Sequence, residues 1–178
     1  MNEYNLTTAN INDWAGNLRA GDRVLLSGTI YTARDAAHKR IKNLIDNGDE
    51  LPFEVKDSVV YYAGPTPAKN GSVIGSIGPT TSSRMDVFSP QLISLGQKAM
   101  IGKGNRSKAV VNAMMEHCAV YFAAVGGAGA LYSECIVDCQ VVAFDELGCE
   151  SVKKLTIKDF PLLVAIDSKG NSLYSDRL

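Results

Sequence analysis

Short runs of apolar residues alternate with stretches of helical periodicity along the chain. The run at residues 119–125 is almost continuously apolar, which is typical of a strand covered on both faces. The other runs are rich in β-branched or apolar residues, and several end at glycine or proline, as strands do. The pattern predicts strands at residues 23–30, 59–63, 73–77, 98–101, 119–125 and 137–144, then a hairpin that pairs 153–157 or 162–166 with the last residues across a turn at 167–171.

Two helices are clear from their periodicity. The first is predicted at residues 34–47, where apolar residues fall on one face and Gly48 occupies the position of a C-terminal cap. The second has Ser107 as its N-cap and an apolar face that extends to Cys118. Shorter helices are predicted at 85–95 and after a glycine-rich turn. Because strands and helices alternate, we expect one α/β domain with a mixed sheet over residues 1–178.

The composition narrows the functional class. Apolar residues make up 46% of the chain and charged residues 21%, which is close to the average soluble globular protein. A net charge of -1 leaves no basic surplus for binding nucleic acid. No apolar run approaches the ~20 residues that span a bilayer, and the N-terminus lacks a secretory signal pattern. We therefore expect a cytoplasmic protein that binds neither nucleic acid nor membranes.

The four cysteines, at positions 118, 135, 139 and 149, match no CxxC-type metal pattern. Nothing in the sequence suggests export, so reduced thiols are expected. We interpret these cysteines as small hydrophobic residues and expect this chain to bind no metal.

A run of hydroxyl side chains is the most informative candidate for chemistry. Thr80, Thr81, Ser82 and Ser83 follow a Gly-Pro turn and lead to Arg84 at a predicted helix start. Backbone N–H groups at a helix N-terminus, hydroxyl donors and a guanidinium together suit an anion. The alternative is a Ser/Thr-rich turn in which one hydroxyl caps the next helix.

A second candidate is Lys103, which lies between two glycines after a predicted strand. The stretch superficially resembles a phosphate loop, but Gly96 is one residue too far upstream and Gly104 occupies the place of the magnesium-binding hydroxyl. We reject the nucleotide interpretation. A lysine at the end of a strand remains, where open α/β sheets tend to place ligand groups, with a solvated turn residue as the alternative.

A third candidate is the junction at which the helix 34–47 begins. Arg34 and His38 are four residues apart and therefore share one face of that helix. The arginine could bind an anion or simply lie on the surface. We interpret the histidine as a structural hydrogen-bonding residue rather than as a catalyst.

Eight motifs follow one another along the chain from about Arg23 onward. In order, they are Gly28-Thr29, Arg34-Asp35-x-x-His38, Tyr61-Tyr62-Ala63-Gly64-Pro65, Gly78-Pro79-Thr80-Thr81-x-x-Arg84-Met85, Gly102-Lys103-Gly104-Asn105-Arg106, Glu146-Leu147-Gly148, Asp159-Phe160-Pro161 and Asp167-x-x-Gly170-Asn171. Taken together, these motifs form a specific pattern that resembles the C-terminal domain of class I fumarate hydratases, which also occurs as the β subunit of two-subunit fumarases and of L-tartrate dehydratase.

The resemblance implies a fold of the swivelling β/β/α type and a set of site residues. Arg34, Arg84 and Lys103 would hold the two carboxylates of the substrate, and Thr80 would act as the base at C3. A four-iron–four-sulfur cluster would be held by a partner α subunit rather than by this chain. The sequence departs from the family at Ser83, where glycine is frequent, and this change could stiffen the loop.

The resemblance therefore predicts the β subunit of a two-subunit class I fumarate hydratase, which hydrates fumarate to L-malate when assembled. Two alternatives remain open. One is the β subunit of an L-tartrate dehydratase. The other is a non-catalytic module that binds carboxylates.

Overall fold

The computed structural model describes residues 1–69 and 71–174, which form one mixed sheet with helices packed against it. Its strands are β1 (Glu3–Thr7), β2 (Arg23–Thr32), β3 (Val59–Tyr61), β4 (Ala99–Gly102), β5 (Val120–Ala123), β6 (Ile136–Ala143) and β7 (Val152–Ile166). Its α-helices are α1 (Ile11–Ala15), α2 (Asp35–Asn47), α3 (Ser89–Ser94), α4 (Lys108–His117) and α5 (Gly129–Glu134), and short 3-10 turns lie at Thr8–Asn10, Ser82–Met85 and Asp145–Glu150.

Strand β7 closes the sheet into a barrel-like arrangement. Strands β2, β3, β4 and β5 are parallel and hydrogen-bonded in that order. β7 runs antiparallel and pairs with β5 on one side and with β2 on the other. β1 extends the sheet beside β2, and β6 extends it beside β7. The carboxyl ends of the four parallel strands therefore lie at the same edge of a closed sheet.

Two apolar clusters explain why the central strands read as continuous apolar runs. In β3, Val59 and Tyr61 point into one cluster, whereas Val60 points into the other, which contains α2 and α4. Residues of β4 and β5 alternate in the same way, because side chains of a strand point to opposite faces in turn. Both faces of these strands are thus buried, as predicted for residues 119–125.

The two predicted long helices are confirmed. Arg34 is the N-cap of α2, and Gly48 ends it in the left-handed conformation. Ser107 is the N-cap of α4, and its side chain accepts a hydrogen bond from the backbone N–H of Val110. The helix predicted at 85–95 is shorter than expected and is confined to α3.

The strand predicted at 73–77 is wrong. This segment lies in an irregular loop, where the Thr66 N–H donates to the carbonyl oxygen of Ser76 and the Ile77 N–H donates to that of Gly129. A Cβ added at Gly75 would lie 2.2 Å from the Thr66 carbonyl oxygen. The segment therefore packs its backbone against another part of the loop instead of pairing in the sheet.

The predicted C-terminal hairpin is confirmed in part. Residues 153–157 and 162–166 are two parts of one strand, β7, which continues through Asp159 at a positive φ of 50°. The second part turns back at 167–171 as predicted, because Ile166 forms a bridge with Ser172 and the Leu173 N–H donates to the Ala165 carbonyl oxygen at 2.9 Å. In this turn Asp167 accepts hydrogen bonds from the backbone of Lys169 and Asn171. Residues 175–178 lie outside the described part of the chain.

The structure places His38 inside the core, where it supports the start of α2. Its Nδ1 lies 2.9 Å from the carbonyl oxygen of Arg34, so this nitrogen carries the proton and donates. The ring packs between Tyr62 and Phe88. Burial lowers the pKa of His38 to about 4. The geometry agrees with the interpretation of His38 as a structural residue.

The low pKa of His38 predicts a pH dependence of stability. Between its ordinary pKa of 6.5 and about 4, the unfolded chain binds a proton that the folded chain excludes, so stability falls as pH falls. Between pH 7 and pH 5, the free energy of unfolding should fall by about 2 kcal/mol more in the unchanged chain than in the His38→Gln variant. Urea unfolding at both pH values measures this difference. The control is the His117→Gln variant, at the partly exposed second histidine. An equal fall in the free energy of unfolding of the unchanged chain and of the His38→Gln variant would contradict the prediction.

Candidate functional site

The four predicted site residues lie at the carboxyl edge of the parallel strands. Arg34 follows β2, Lys103 follows β4, and the loop that contains Thr80 and Arg84 packs between the ends of β3 and β4. Parallel α/β sheets characteristically place ligand groups at this edge. The topology therefore brings together residues that are far apart in the sequence.

Backbone hydrogen bonds hold the Thr80 loop against Lys103. The Thr80 N–H donates to the carbonyl oxygen of Tyr62 at 2.8 Å, and the Ser82 N–H donates to that of Lys103 at 2.9 Å. The loop can approach this closely because position 102 is glycine, since a Cβ there would lie 1.9 Å from Ser82 Oγ. The hydroxyl run is thus fixed to the end of β4.

Thr80 does not cap a helix. The N-cap of the following 3-10 turn is Thr81, and its side chain makes no capping hydrogen bond. Thr80 is half-buried, and its hydroxyl has no hydrogen-bond partner within the described ranges. The predicted helix start at Arg84 is wrong as well, because the element there is a four-residue turn, Ser82–Met85. An anion at this loop would depend on side chains rather than on a helix N-terminus.

Arg34 forms an ion pair with Glu150, a contact that sequence patterns did not predict. Arg34 Nη2 lies 3.3 Å from Glu150 Oε1, and the backbone N–H of Ala36 donates to Glu150 Oε2 at 3.1 Å. The Arg34 Nε is buried and has no partner in the residues described. Glu150 is 114 residues from Ala36 in the sequence, so only the fold could reveal this contact.

Arg84 is tied to the start of α2 by a second ion pair. Its Nε donates to Asp35 Oδ1 at 2.8 Å, and about half of the Arg84 side chain is exposed. Asp35 is the neighbour of Arg34, so this contact links the two arginines through one residue. Arg34, Arg84, Thr80 and Lys103 therefore belong to one connected set of contacts along the sheet edge.

Lys103 is exposed, and within residues 1–69 and 71–174 its ammonium group forms no hydrogen bond or ion pair. Its side chain lies along Gly126, where an added Cβ would be 3.9 Å from Nζ. Gly126 follows β5, so the lysine reaches across the ends of two strands. The position leaves an exposed cation next to the Thr80 loop.

A buried network underneath fixes both loops. The Arg106 side chain is fully buried, and its Nε donates to Asp86 Oδ1 at 2.7 Å. The same guanidinium donates to Ser89 Oγ at 2.7 Å and lies over the rings of Tyr62 and Tyr121. Arg106 follows the Lys103 loop and Asp86 follows Arg84, so this pair sets the spacing between the two loops. Arg106 belongs to the Gly102-Lys103-Gly104-Asn105-Arg106 motif, but the motif alone predicted no role for it.

The described residues of this chain do not fit an iron–sulfur cluster. Their four cysteines are all free, and no group of three or more His, Cys, Asp or Glu in the described ranges could hold a metal. The same described residues also contain no helix that is both long and apolar enough to cross a membrane.

The site is an open edge rather than an enclosed pocket. A cavity of about 650 Å³ is lined by mainly apolar residues of β2, β5, α5 and β7, and one of about 340 Å³ lies between residues 65–74 and Lys153. Neither of these two cavities is lined by Arg34, Thr80, Arg84 or Lys103. A substrate bound at the edge would need a second surface to exclude water.

Comparisons with known proteins agree with the resemblance. The chain is 43% identical over 160 residues to fumarate hydratase 2 of Leishmania major and 43% identical over 154 residues to the anaerobic class I fumarate hydratase of Escherichia coli. These matches cover 89% and 85% of this chain, but only 28% of the length of each relative.

A shorter relative matches almost end to end. The chain is 43% identical over 165 residues to a protein of Methanocaldococcus jannaschii provisionally named L(+)-tartrate dehydratase subunit beta, and the match covers 89% of this chain and 85% of that protein. The model of the family described as Fumarase C-terminus matches residues 1–177. The chain therefore belongs to the Fumarase C-terminus family.

Proposed function

We propose that this chain is the β subunit of a two-subunit class I fumarate hydratase. The observation that supports this proposal is the sheet edge at which the loops of Arg34, Arg84 and Lys103 lie together with that of Thr80. On this proposal, Arg34, Arg84 and Lys103 bind the two carboxylates of fumarate or L-malate. On the same proposal, residues 1–178 form a single domain of the family, and this chain acts in the cytoplasm.

The charge of the substrate explains the choice of residues. Fumarate and malate are dianions, so a site must provide about two cationic partners, and a planar guanidinium matches a carboxylate in a bidentate manner. The edge carries three cations and two carboxylates, those of Asp35 and Glu150. Each arginine would already be oriented by its own carboxylate before the substrate binds, so its charge could be directed at a substrate carboxylate.

Thr80 is the candidate base for removal of the C3 proton of malate. A threonine hydroxyl is a weak base in water, but neighbouring positive charges favour its deprotonated form. The same charges stabilise negative charge that develops on the adjacent carboxylate during proton removal. The absence of a capping role leaves the Thr80 hydroxyl available for this task.

The cofactor and the partner complete the proposal. The four-iron–four-sulfur cluster of the assembled enzyme is held by an α subunit, because the described cysteines of this chain do not come together. The open sheet edge would face that subunit, which would enclose the dicarboxylate.

L-tartrate dehydratase is the second candidate. The relative from M. jannaschii, whose name refers to that activity, is a separate chain of similar length, whereas the fumarate hydratases matched here are much longer. Tartrate carries one more hydroxyl than malate, and both are dianionic dicarboxylates that the same cationic edge could bind. Comparing the rates with malate and tartrate on one assembled enzyme distinguishes the two substrates.

Anaerobic co-expression with a candidate α subunit tests the proposed function. We expect the assembled pair to contain iron and to hydrate fumarate, and the chain alone to do neither. Iron analysis and the loss of fumarate absorbance provide the two measurements. A stoichiometric cluster on this chain alone would contradict the subunit assignment. An assembled pair without activity on fumarate, malate or tartrate would favour the non-catalytic carboxylate-binding module.

Thr80→Val should separate catalysis from binding. The substitution keeps the shape of the side chain and removes the hydroxyl, and loss of a general base typically lowers the rate by about 10²–10⁴-fold. Affinity for malate should change much less. The measurements are kcat and malate binding for the assembled enzyme. Thr81→Val removes the exposed hydroxyl one residue away and should leave kcat intact, and equal effects of the two substitutions would argue against Thr80 as the base.

Arg84→Lys should be damaging although it keeps the charge. Lysine cannot donate to Asp35 and to a substrate carboxylate with the geometry of a guanidinium. We expect a loss of about 2–4 kcal/mol in kcat/KM, by comparison with other truncated charge pairs. Arg40→Lys is the matched control, because Arg40 on α2 also pairs with a carboxylate and is about as exposed as Arg84, but it is not one of the proposed site residues. Unchanged kinetics in Arg84→Lys would place this residue outside the site.

A further inference from the structure

Glu150 connects two features of the sheet edge with one carboxylate. One oxygen forms an ion pair with the guanidinium of Arg34 at 3.3 Å, and the other accepts a hydrogen bond from the backbone N–H of Ala36 in the first turn of α2. A carboxylate at this position also interacts favourably with the positive end of the helix. Both side chains are mostly buried, with exposed fractions of 23% for Arg34 and 22% for Glu150.

The remaining sides of Arg34 are restrained as well. Its Nε is sealed from solvent, and its side chain passes directly over Gly64, where an added Cβ would lie 3.2 Å from Cδ and 3.3 Å from Nη1. Glu150 at Nη2 and Gly64 beneath the side chain thus restrain the guanidinium on two sides. Any residue with a Cβ at position 64 would crowd the Arg34 side chain.

The backbone that carries Glu150 is itself anchored. Lys153 Nζ donates to the carbonyl oxygens of Gly148 and Cys149 at 3.0 and 3.4 Å, and to Ser151 Oγ at 2.6 Å. The Cys149 carbonyl oxygen also lies against Gly64, 2.9 Å from the position of an added Cβ. The turn before β7 is therefore held at the same place as the side chain of Arg34.

We propose that Glu150 is a positioning residue, which fixes the Arg34 guanidinium in the orientation that binds a substrate carboxylate. The inference rests on the proposed role of Arg34 in the dicarboxylate site and adds to it a residue from the other end of the chain. Pre-orientation matters because an arginine side chain has many rotamers, and holding one of them in advance removes that cost from substrate binding. Glu150 acts only through Arg34 and does not touch the substrate.

The chain contains a matched comparison. Glu146, in the same 3-10 turn, pairs with Arg40 on the same helix at 3.4 Å. That pair joins the same two elements, but its side chains are 52% and 59% exposed and it contacts none of the site residues. A general tie between the turn and α2 would make the two glutamates equivalent, whereas a positioning role makes Glu150 special.

A double-mutant cycle on the assembled, iron-loaded enzyme tests the proposal. Glu150→Gln should lower kcat/KM for fumarate by about 10- to 100-fold, the usual cost of losing the partner that orients a site residue. In an Arg34→Met background the same substitution should cause no further loss, because the group that Glu150 orients is gone. Glu146→Gln should leave kcat/KM unchanged. The thermal midpoint of each variant separates loss of orientation from loss of folding.

The outcomes are distinct. An equal penalty for Glu150→Gln in both backgrounds would overturn the positioning role, because Glu150 would then act independently of Arg34. Equal effects of Glu150→Gln and Glu146→Gln would overturn it too. If Glu150→Gln does not assemble, Glu150→Asp, which keeps the charge but withdraws it by one methylene, takes its place in the cycle. An unmodified pair that is inactive on fumarate and tartrate would instead overturn the proposed function, before any variant is compared.

Discussion

The double pairing of β7 is the constraint on which the rest of the structure depends. Because this strand bonds to β5 on one side and to β2 on the other, the four parallel strands between them cannot spread into an open sheet. Their carboxyl ends lie at one edge because the strands are parallel, and β7 places the outer strands β2 and β5 on its two sides. The loops of Arg34, Lys103 and Gly126 are neighbours for this reason, although they come from distant parts of the chain.

The charges at the edge are arranged so that each arginine is held by a carboxylate of its own chain. Glu150 holds Arg34 and Asp35 holds Arg84, while Lys103 stays unpaired within the described residues. A pair that is partly buried loses less side-chain entropy when it binds, since the guanidinium is already oriented. The lysine, with its flexible stem, can adjust to the ligand instead. The edge thus combines two cations paired with carboxylates and, within the described residues, one unpaired cation.

Below the edge, Arg106 has a different task. Its guanidinium is fully buried among Asp86, Ser89 and two tyrosine rings, so its charge is used within the protein. A buried charge is tolerated only when its partners are complete, and here one carboxylate, two hydroxyls, the Met100 sulfur and two aromatic faces surround it. The network fixes the loops of Arg84 and Lys103 relative to each other, which the surface contacts alone would not do.

The sequence by itself determined the local elements and the identity of the candidate side chains. The capping residues of α2 and α4 and the doubly buried strands could be predicted, because helix periodicity, caps and apolar runs are properties of neighbouring residues. The motifs around Arg34, Thr80, Arg84 and Lys103 also identified the family. Only the tertiary structure decided that residues 153–166 form a single strand that closes the sheet and that the segment 73–77 is a loop. It also decided that Glu150 faces Arg34 and that Arg106 is buried, because these features depend on contacts between residues far apart in the chain, which local patterns do not encode.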